Sequence, residues 1–193
     1  MKQIMAFPPI IQGNSRVLIL GSMPGVQSLE AQQYYAHPQN QFWKIIEGLF
    51  DRPLPPDYDS RTIFLLERHI ALWDVIHSCY REGSLDSAIR QETAHDFETF
   101  FHMYPGILFV AFNGTKAQDT FRKQVGFHFP GITFHRLPST SPAHTMKLAE
   151  KLAEWQIIAR MVSEDQGTDW RLCGKPERKG RDRDNIHDKQ ETV

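Results

Sequence analysis

Four short stretches of the chain concentrate the side chains that can do chemistry. In Tyr34-Tyr-Ala-His-Pro-Gln-Asn40, followed by Gln41-Phe-Trp43, aromatic rings, an imidazole and amides crowd one loop. Aromatics beside amides suit a pocket that stacks a planar base and hydrogen-bonds its edge. The same residues have plainer uses, Asn40 as the N-cap of a helix and Tyr34 and Tyr35 as half-buried packing. Asn113-Gly114 offers an amide whose donor and acceptor match a lactam such as hypoxanthine or uracil, or else a turn that uses positive φ. Pro138-Ser-Thr-Ser-Pro-Ala-His144 presents the hydroxyls of Ser139, Thr140 and Ser141 and then the His144 imidazole. Such a cluster either grips phosphate or caps the next helix. Lys116 and Lys147 follow two of these loops and would add positive charge, although a solvated helix face accounts for either alone. Gly21-Ser-Met-Pro-Gly25 is a tight turn or, before a helix, a seat for an anion.

These loops need elements to hold them, and the pattern supplies an α/β alternation around a mainly parallel sheet. Strands are expected at 16–20, 106–112 and 132–137, with a weaker one near 70–76; helices are expected at 41–50, 58–69, 94–104, 115–125 and 145–163. The last helix spaces Leu148, Leu152, Trp155, Ile158 and Val162 for one buried face. Each clear strand ends in a loop of Gly, Pro, Ser or Asn just before a helix, which is where open α/β sheets bind ligands.

Composition narrows the classes. Among 193 residues, 40% are hydrophobic and 23% charged, as in an ordinary folded domain. No apolar run is long enough to span a membrane and no signal peptide is evident, so a cytoplasmic protein is expected. Cys79 and Cys173 are too few for a disulfide framework or a four-thiolate metal site, and no metal is expected. The formal charge is −1, so a nucleic-acid partner would be held by a local patch. Residues 1–164 read as one domain and 165–193 as a charged, disordered tail, whose acids and bases balance. Phosphate-loop, nucleophile-elbow and metal-ligand motifs are missing.

Taken together, these stretches resemble the uracil-DNA glycosylase superfamily, most closely its hypoxanthine-DNA (deoxyinosine) glycosylase branch. The resemblance is carried by Gly21-Ser-Met-Pro-Gly25, Ser28-Leu29, Gln33 to Trp43, Ala71-Leu-Trp-Asp-Val75, Gly83 to Ile89, Phe112 to Ala117 and Leu137 to Ala143. It implies a three-layer α/β/α sandwich around a short, mainly parallel β-sheet. The mismatch-specific uracil and thymine enzymes of the superfamily carry Gly-Ile-Asn-Pro-Gly, whose Asn positions the attacking water. Here that position is Met23, and a thioether cannot do that work. The resemblance assigns the catalytic amide to Asn40 instead, the base pocket to Gly21, Ser22, Met23, Tyr35 and Asn113, and the duplex-entering loop to the residues after Pro138; the resemblance does not say which of these is the wedge, for which we take His144. Pro142 makes that loop depart from the Met-Pro-Ser-Ser-Ser-Ala-Arg form of the thymine enzymes. DNA contacts would then come from Lys116, Ser139, Thr140, Ser141, His144 and Lys147.

The implied activity is monofunctional: deoxyinosine in double-stranded DNA is flipped out and its N-glycosidic bond hydrolysed, leaving an abasic site. No cofactor is implied and a monomer is expected. No lysine is placed for Schiff-base chemistry, so strand cleavage is not expected. The alternatives are a mismatch uracil or thymine glycosylase, a non-catalytic reader of damaged bases, and an α/β protein acting on free nucleosides.

Overall fold

The computed structural model describes residues 2–163; the tail expected at 165–193 lies outside the described residues. In chain order the strands are β1 (Lys2–Met5), β2 (Val17–Gly21), β3 (Ile70–Asp74), β4 (Ile76–Arg81), β5 (Arg90–Ala94), β6 (Phe109–Asn113) and β7 (Thr133–Leu137). The helices are α1 (Val26–Ala31), α2 (Phe42–Phe50), α3 (Tyr58–Leu66), α4 (Phe97–Met103), α5 (Thr115–Gln124) and α6 (Leu148–Ser163), with a 3₁₀ turn at Asp86–Ala88.

The main sheet runs β3-β2-β6-β7 and every pairing is parallel. All five residues of β2, β3 and β6 are buried, because a central parallel strand is covered on both faces. That is why these strands read as unbroken apolar runs. One face of β2 sends Val17 and Ile19 into a core with Phe42, Ile45, Leu65 and Trp155; the other sends Leu18 and Leu20 against Phe97, Phe100 and Phe121. The three-layer α/β/α expectation is thus borne out.

A second sheet, β1-β4-β5, is antiparallel and was not expected. The weak strand near 70–76 is two strands belonging to two sheets, with Val75 alone between them. Strand β5 is mostly exposed, so it lacks the apolar alternation by which a half-buried strand is found. Helix α4 begins at Phe97 rather than 94, since β5 runs to Ala94 and the Asp96 carboxylate caps the helix by accepting from the Thr99 N–H at 3.0 Å. In α6 the innermost residues are Lys151, Trp155 and Ile158, while Leu148 is exposed. The helix is rotated from the expected face because Lys151 has a buried task described below. Among the described residues no helix is long and apolar enough to cross a membrane.

Glycine at position 21 is required by its neighbours rather than by its backbone angles. A Cβ there would collide with Asp74 Oδ1 and lie 3.2 Å from Tyr35 Oη. Gly21→Ala is therefore expected to cost about 1–3 kcal/mol in chemical denaturation, the usual penalty of overpacking.

Candidate active site

The carboxyl ends of β2, β3 and β6 open on a cavity of about 340 Å³ whose walls include Gly21, Tyr35, Asn40, Asp74 and Asn113. This is the strand-end position that the α/β pattern anticipates, and a size that holds a small planar ligand.

Asn113 organises the cavity. Its Nδ2 donates to Tyr35 Oη and to Thr140 Oγ1, each at 2.9 Å, and its Oδ1 accepts from the Thr140 N–H at 2.9 Å. The backbone N–H identifies which end of the amide is oxygen. Both N–H bonds are therefore spent inside the protein, and one Oδ1 lone pair remains. The expectation that this amide offers a paired donor and acceptor to a base edge is corrected accordingly: its bonds join loop to strand. The positive φ of the Asn113-Gly114 turn falls on Gly114, at 101°, where a Cβ would also press on Ser139 Cβ at 2.9 Å.

Tyr35 stands in the left-handed region, φ 55°, with its ring stacked on Phe42 at 4.1 Å. For a tyrosine that backbone costs about 1–2 kcal/mol, offset by the stack and by the Asn113 bond. Burial pushes its phenol well above the ordinary range, with the Asp74 charge adding to the effect, so it acts as a neutral wall and hydroxyl. Asn40 lines the same cavity. Its Oδ1 accepts from the Phe42 N–H at 2.9 Å at the start of α2, and its backbone N–H donates to the His37 carbonyl at 2.8 Å. Asn40 is not the N-cap expected of it, since Gln41 holds that position without a side-chain cap bond; the bond from the Phe42 N–H nevertheless fixes the Asn40 rotamer and leaves the rest of the amide to the cavity.

The loop after Pro138 is braced from beneath by α6. Lys151, 1% exposed, donates from Nζ to the His144 carbonyl at 2.9 Å, and the Trp155 indole donates to the Pro138 carbonyl at 3.0 Å. Burial draws the Lys151 pKa below its ordinary value. Thr140 is fully buried and its carbonyl accepts from the Gln41 N–H at 3.0 Å. A phosphate contact for Thr140 is thereby excluded in this arrangement, since its hydroxyl and both backbone polar groups hold the loop. Ser139 Oγ accepts from the Ser141 N–H, and Ser141 Oγ from the Ala143 N–H, so both hydroxyls shape turns while lining the cavity. His144 is exposed at the loop's end. Lys116 borders the cavity but is paired with Glu92 at 2.6 Å; Lys147 is exposed just before α6 and is not among the cavity-lining residues.

The Gly21–Gly25 loop is pinned from the antiparallel sheet. Ser22 Oγ donates to Asp86 Oδ1 at 2.7 Å, the Val26 N–H donates to Ser84 Oγ at 2.9 Å, and the buried Arg81 guanidinium donates to the Pro24 carbonyl. Met23 borders the cavity while packing with Ile76, Cys79 and Ile89. Asp74, which the sequence reading did not single out, lies 3% exposed in the cavity wall. Burial first, then the charge of Asp86, pushes its carboxyl up to about 8 against the opposing pull of Arg81. Among the described residues, no group of three or more His, Cys, Asp or Glu side chains is placed to share a metal.

Parallel strands ending at a small cavity walled by an oriented amide and a tyrosine stacked on Phe42 make an α/β fold with a strand-end pocket. The chain belongs to the uracil DNA glycosylase superfamily, whose family profile matches residues 8–161. It is 34% identical over 155 residues to a hypoxanthine DNA glycosylase of Methanosarcina acetivorans, covering 80% of this chain and 96% of that protein. A hypoxanthine DNA glycosylase of Methanosarcina barkeri is 39% identical over 114 residues, 58% of this chain and 72% of that one. A solution NMR structure from Methanosarcina acetivorans, described provisionally as a uracil DNA glycosylase, superposes with a TM-score of 0.71 at 32% identity, covering 84% of this chain and 99% of that one.

Two substitutions separate the roles around the loop. Asn113→Ala strands the buried Thr140 N–H and removes three hydrogen bonds, and is expected to cost about 2–4 kcal/mol in urea unfolding. Lys151→Met keeps the packing and removes only the latch on His144. It is expected to leave the thermal midpoint within about 5 °C of wild type, since its loss is close to one hydrogen bond, while making the 138–144 loop more sensitive to limited proteolysis.

Proposed function

We propose that the chain is a monofunctional DNA glycosylase that flips deoxyinosine out of double-stranded DNA and hydrolyses its N-glycosidic bond, releasing hypoxanthine and leaving an abasic site. The observation that carries this reading is Asn40, an amide fixed by the Phe42 N–H in the wall of a cavity sized for one base. The similarity to a named hypoxanthine DNA glycosylase, over 80% of this chain and 96% of that protein, supports it. A monomer acting in the cytoplasm is part of the same proposal.

Cleavage of a glycosidic bond develops positive charge on the sugar, so the enzyme must hold the base, stabilise its departure and keep a water beside C1′. The Asn40 amide orients that water without taking its proton. Tyr35 supplies the aromatic wall, and the buried Thr140 keeps it at a set distance from the 138–144 loop through Asn113. Flipping costs a few kcal/mol and least at damaged or mispaired bases, which gives part of the selectivity.

The test is a panel of duplexes carrying single inosine, uracil or thymine lesions, followed by alkali to reveal abasic sites. Inosine strands are expected to break and undamaged strands to stay intact. Asn40→Ala is expected to slow single-turnover release about a hundredfold or more, as loss of one preorganised polar group does elsewhere. A folded Asn40→Ala protein that turns over at the wild-type rate would leave Asn40 with only its bond from the Phe42 N–H.

A further inference from the structure

Gly21, Asp74 and Asn113 end three adjacent parallel strands, with Asp74 on one side of Gly21 and Asn113 on the other. The reading above gives work to Asn113, Tyr35 and Asn40, and none to Asp74. Yet Asp74 borders the cavity, and its buried Oδ2 has no hydrogen-bond partner. Sheet packing does not call for an acid there, and a polar atom buried without a partner is costly unless something else meets it. Its Oδ1 crowds the bare α-carbon of Gly21, so a glycine is kept where this carboxyl needs room. The other cavity carboxylate, Asp86, is exposed and already accepts from Ser22.

We propose that Asp74 is the general acid of the reaction, giving its carboxyl proton to an unsubstituted ring nitrogen of the departing hypoxanthine, N7 or N3. The proposal rests on the deoxyinosine reading. As the C1′–N9 bond breaks, its electron pair goes to the base and the Asp74 proton moves to the acceptor nitrogen, so the purine leaves neutral. The oxygen of the water held by Asn40 bonds to C1′ and releases its proton to solvent, and the Asp74 carboxylate regains one from solvent.

The charged and titratable groups around Asp74 are Arg81 on β4, Asp86 on the 3₁₀ turn, and the phenols of Tyr34, Tyr35 and Tyr58, all three pushed above the ordinary range. Lys116, His37 and His144 line the same cavity. With its carboxyl held up to about 8, Asp74 is protonated at neutral pH and loses that proton as pH rises through 8.

The experiment measures single-turnover release from deoxyinosine duplexes by the full chain, between about pH 6 and about pH 9.5. Wild type is expected to hold its rate below about pH 8 and to lose about tenfold per unit above it, and Asp74→Asn to be about a hundredfold slower with no such limb. Duplexes carrying 7-deaza- or 3-deazadeoxyinosine locate the acceptor: the analogue lacking it loses rate with wild type and loses nothing further with Asp74→Asn. Should the variant misfold, wild type alone decides, since its preference for deoxyinosine over that analogue must shrink above about pH 8. The proposal is overturned by a wild-type rate and limb in Asp74→Asn, by a rate that rises through the limb, or by equal deaza penalties in both proteins. If wild type releases no hypoxanthine at any pH, the deoxyinosine reading fails first.

Discussion

The site depends on one amide. Asn113 is the last residue of β6, and its side chain ties Tyr35 to Thr140, while Thr140 in turn accepts from Gln41 at the start of α2. Two segments far apart in sequence are thus fixed to one strand end: the 34–43 stretch, with its aromatic wall and the turn that carries Asn40, and the 138–144 loop. A buried amide with every N–H satisfied is rigid, because rotating it would leave Thr140 without partners on both its hydroxyl and its backbone N–H. The precision of Asn40 therefore comes from β6 through Thr140, and not from its own helix alone.

Other parts of the fold serve the same end. Lys151 and Trp155 hold the 138–144 loop from below by accepting nothing and donating to two of its carbonyls, His144 and Pro138. The antiparallel sheet holds the opposite lip through Ser84, Asp86 and Arg81. The cavity opens at the strand ends of the parallel sheet, and the loops that wall it are braced by α6 on one side and by Arg81 and the β4–β5 connection on the other. The cost is carried in the left-handed backbone of Tyr35 and in the buried polar groups of Lys151 and Asp74.

Burial accounts for only part of what was legible in the sequence. Strands β2 and β6 announce themselves because a central parallel strand covered on both faces is a continuous apolar run, whereas β7, a partly exposed edge strand, is marked by the polar loop that follows it, and β3, though fully buried, read weakly because it passes into β4 after a single residue. Strand β5 is exposed and carries no such signal. Asn40, Tyr35 and Asn113, singled out in the sequence, all line the cavity, but the bonds of Asn113 were not foreseen, since its partners lie 78 and 27 residues away and only the fold reveals them. Lys151 sits at the helical spacing of Trp155 and Ile158, which was the available sign that this lysine faces inward. Asp74 closes an apolar strand as an acid does at many strand ends, and only the neighbouring Gly21 distinguishes it.

The protonation of Asp74 links stability to the chemistry of the cavity. Its carboxyl titrates near 3.8 in an ordinary setting and near 8 here, so between those values the folded chain binds a proton that the unfolded chain does not. The stabilisation from that proton is complete below the lower value and is lost as pH rises through the upper one. The same change alters the electrostatics of base departure. A purine leaving without a proton carries its negative charge toward the cavity floor, where an ionised Asp74 beside Asp86 would repel it through a poorly screened medium. With Asp74 neutral, the negative charge nearby is that of Asp86, opposed by the buried Arg81 guanidinium. The uncharged acid thus favours departure twice, by removing a repulsion and by holding a transferable proton, and both effects vanish together when the carboxyl ionises.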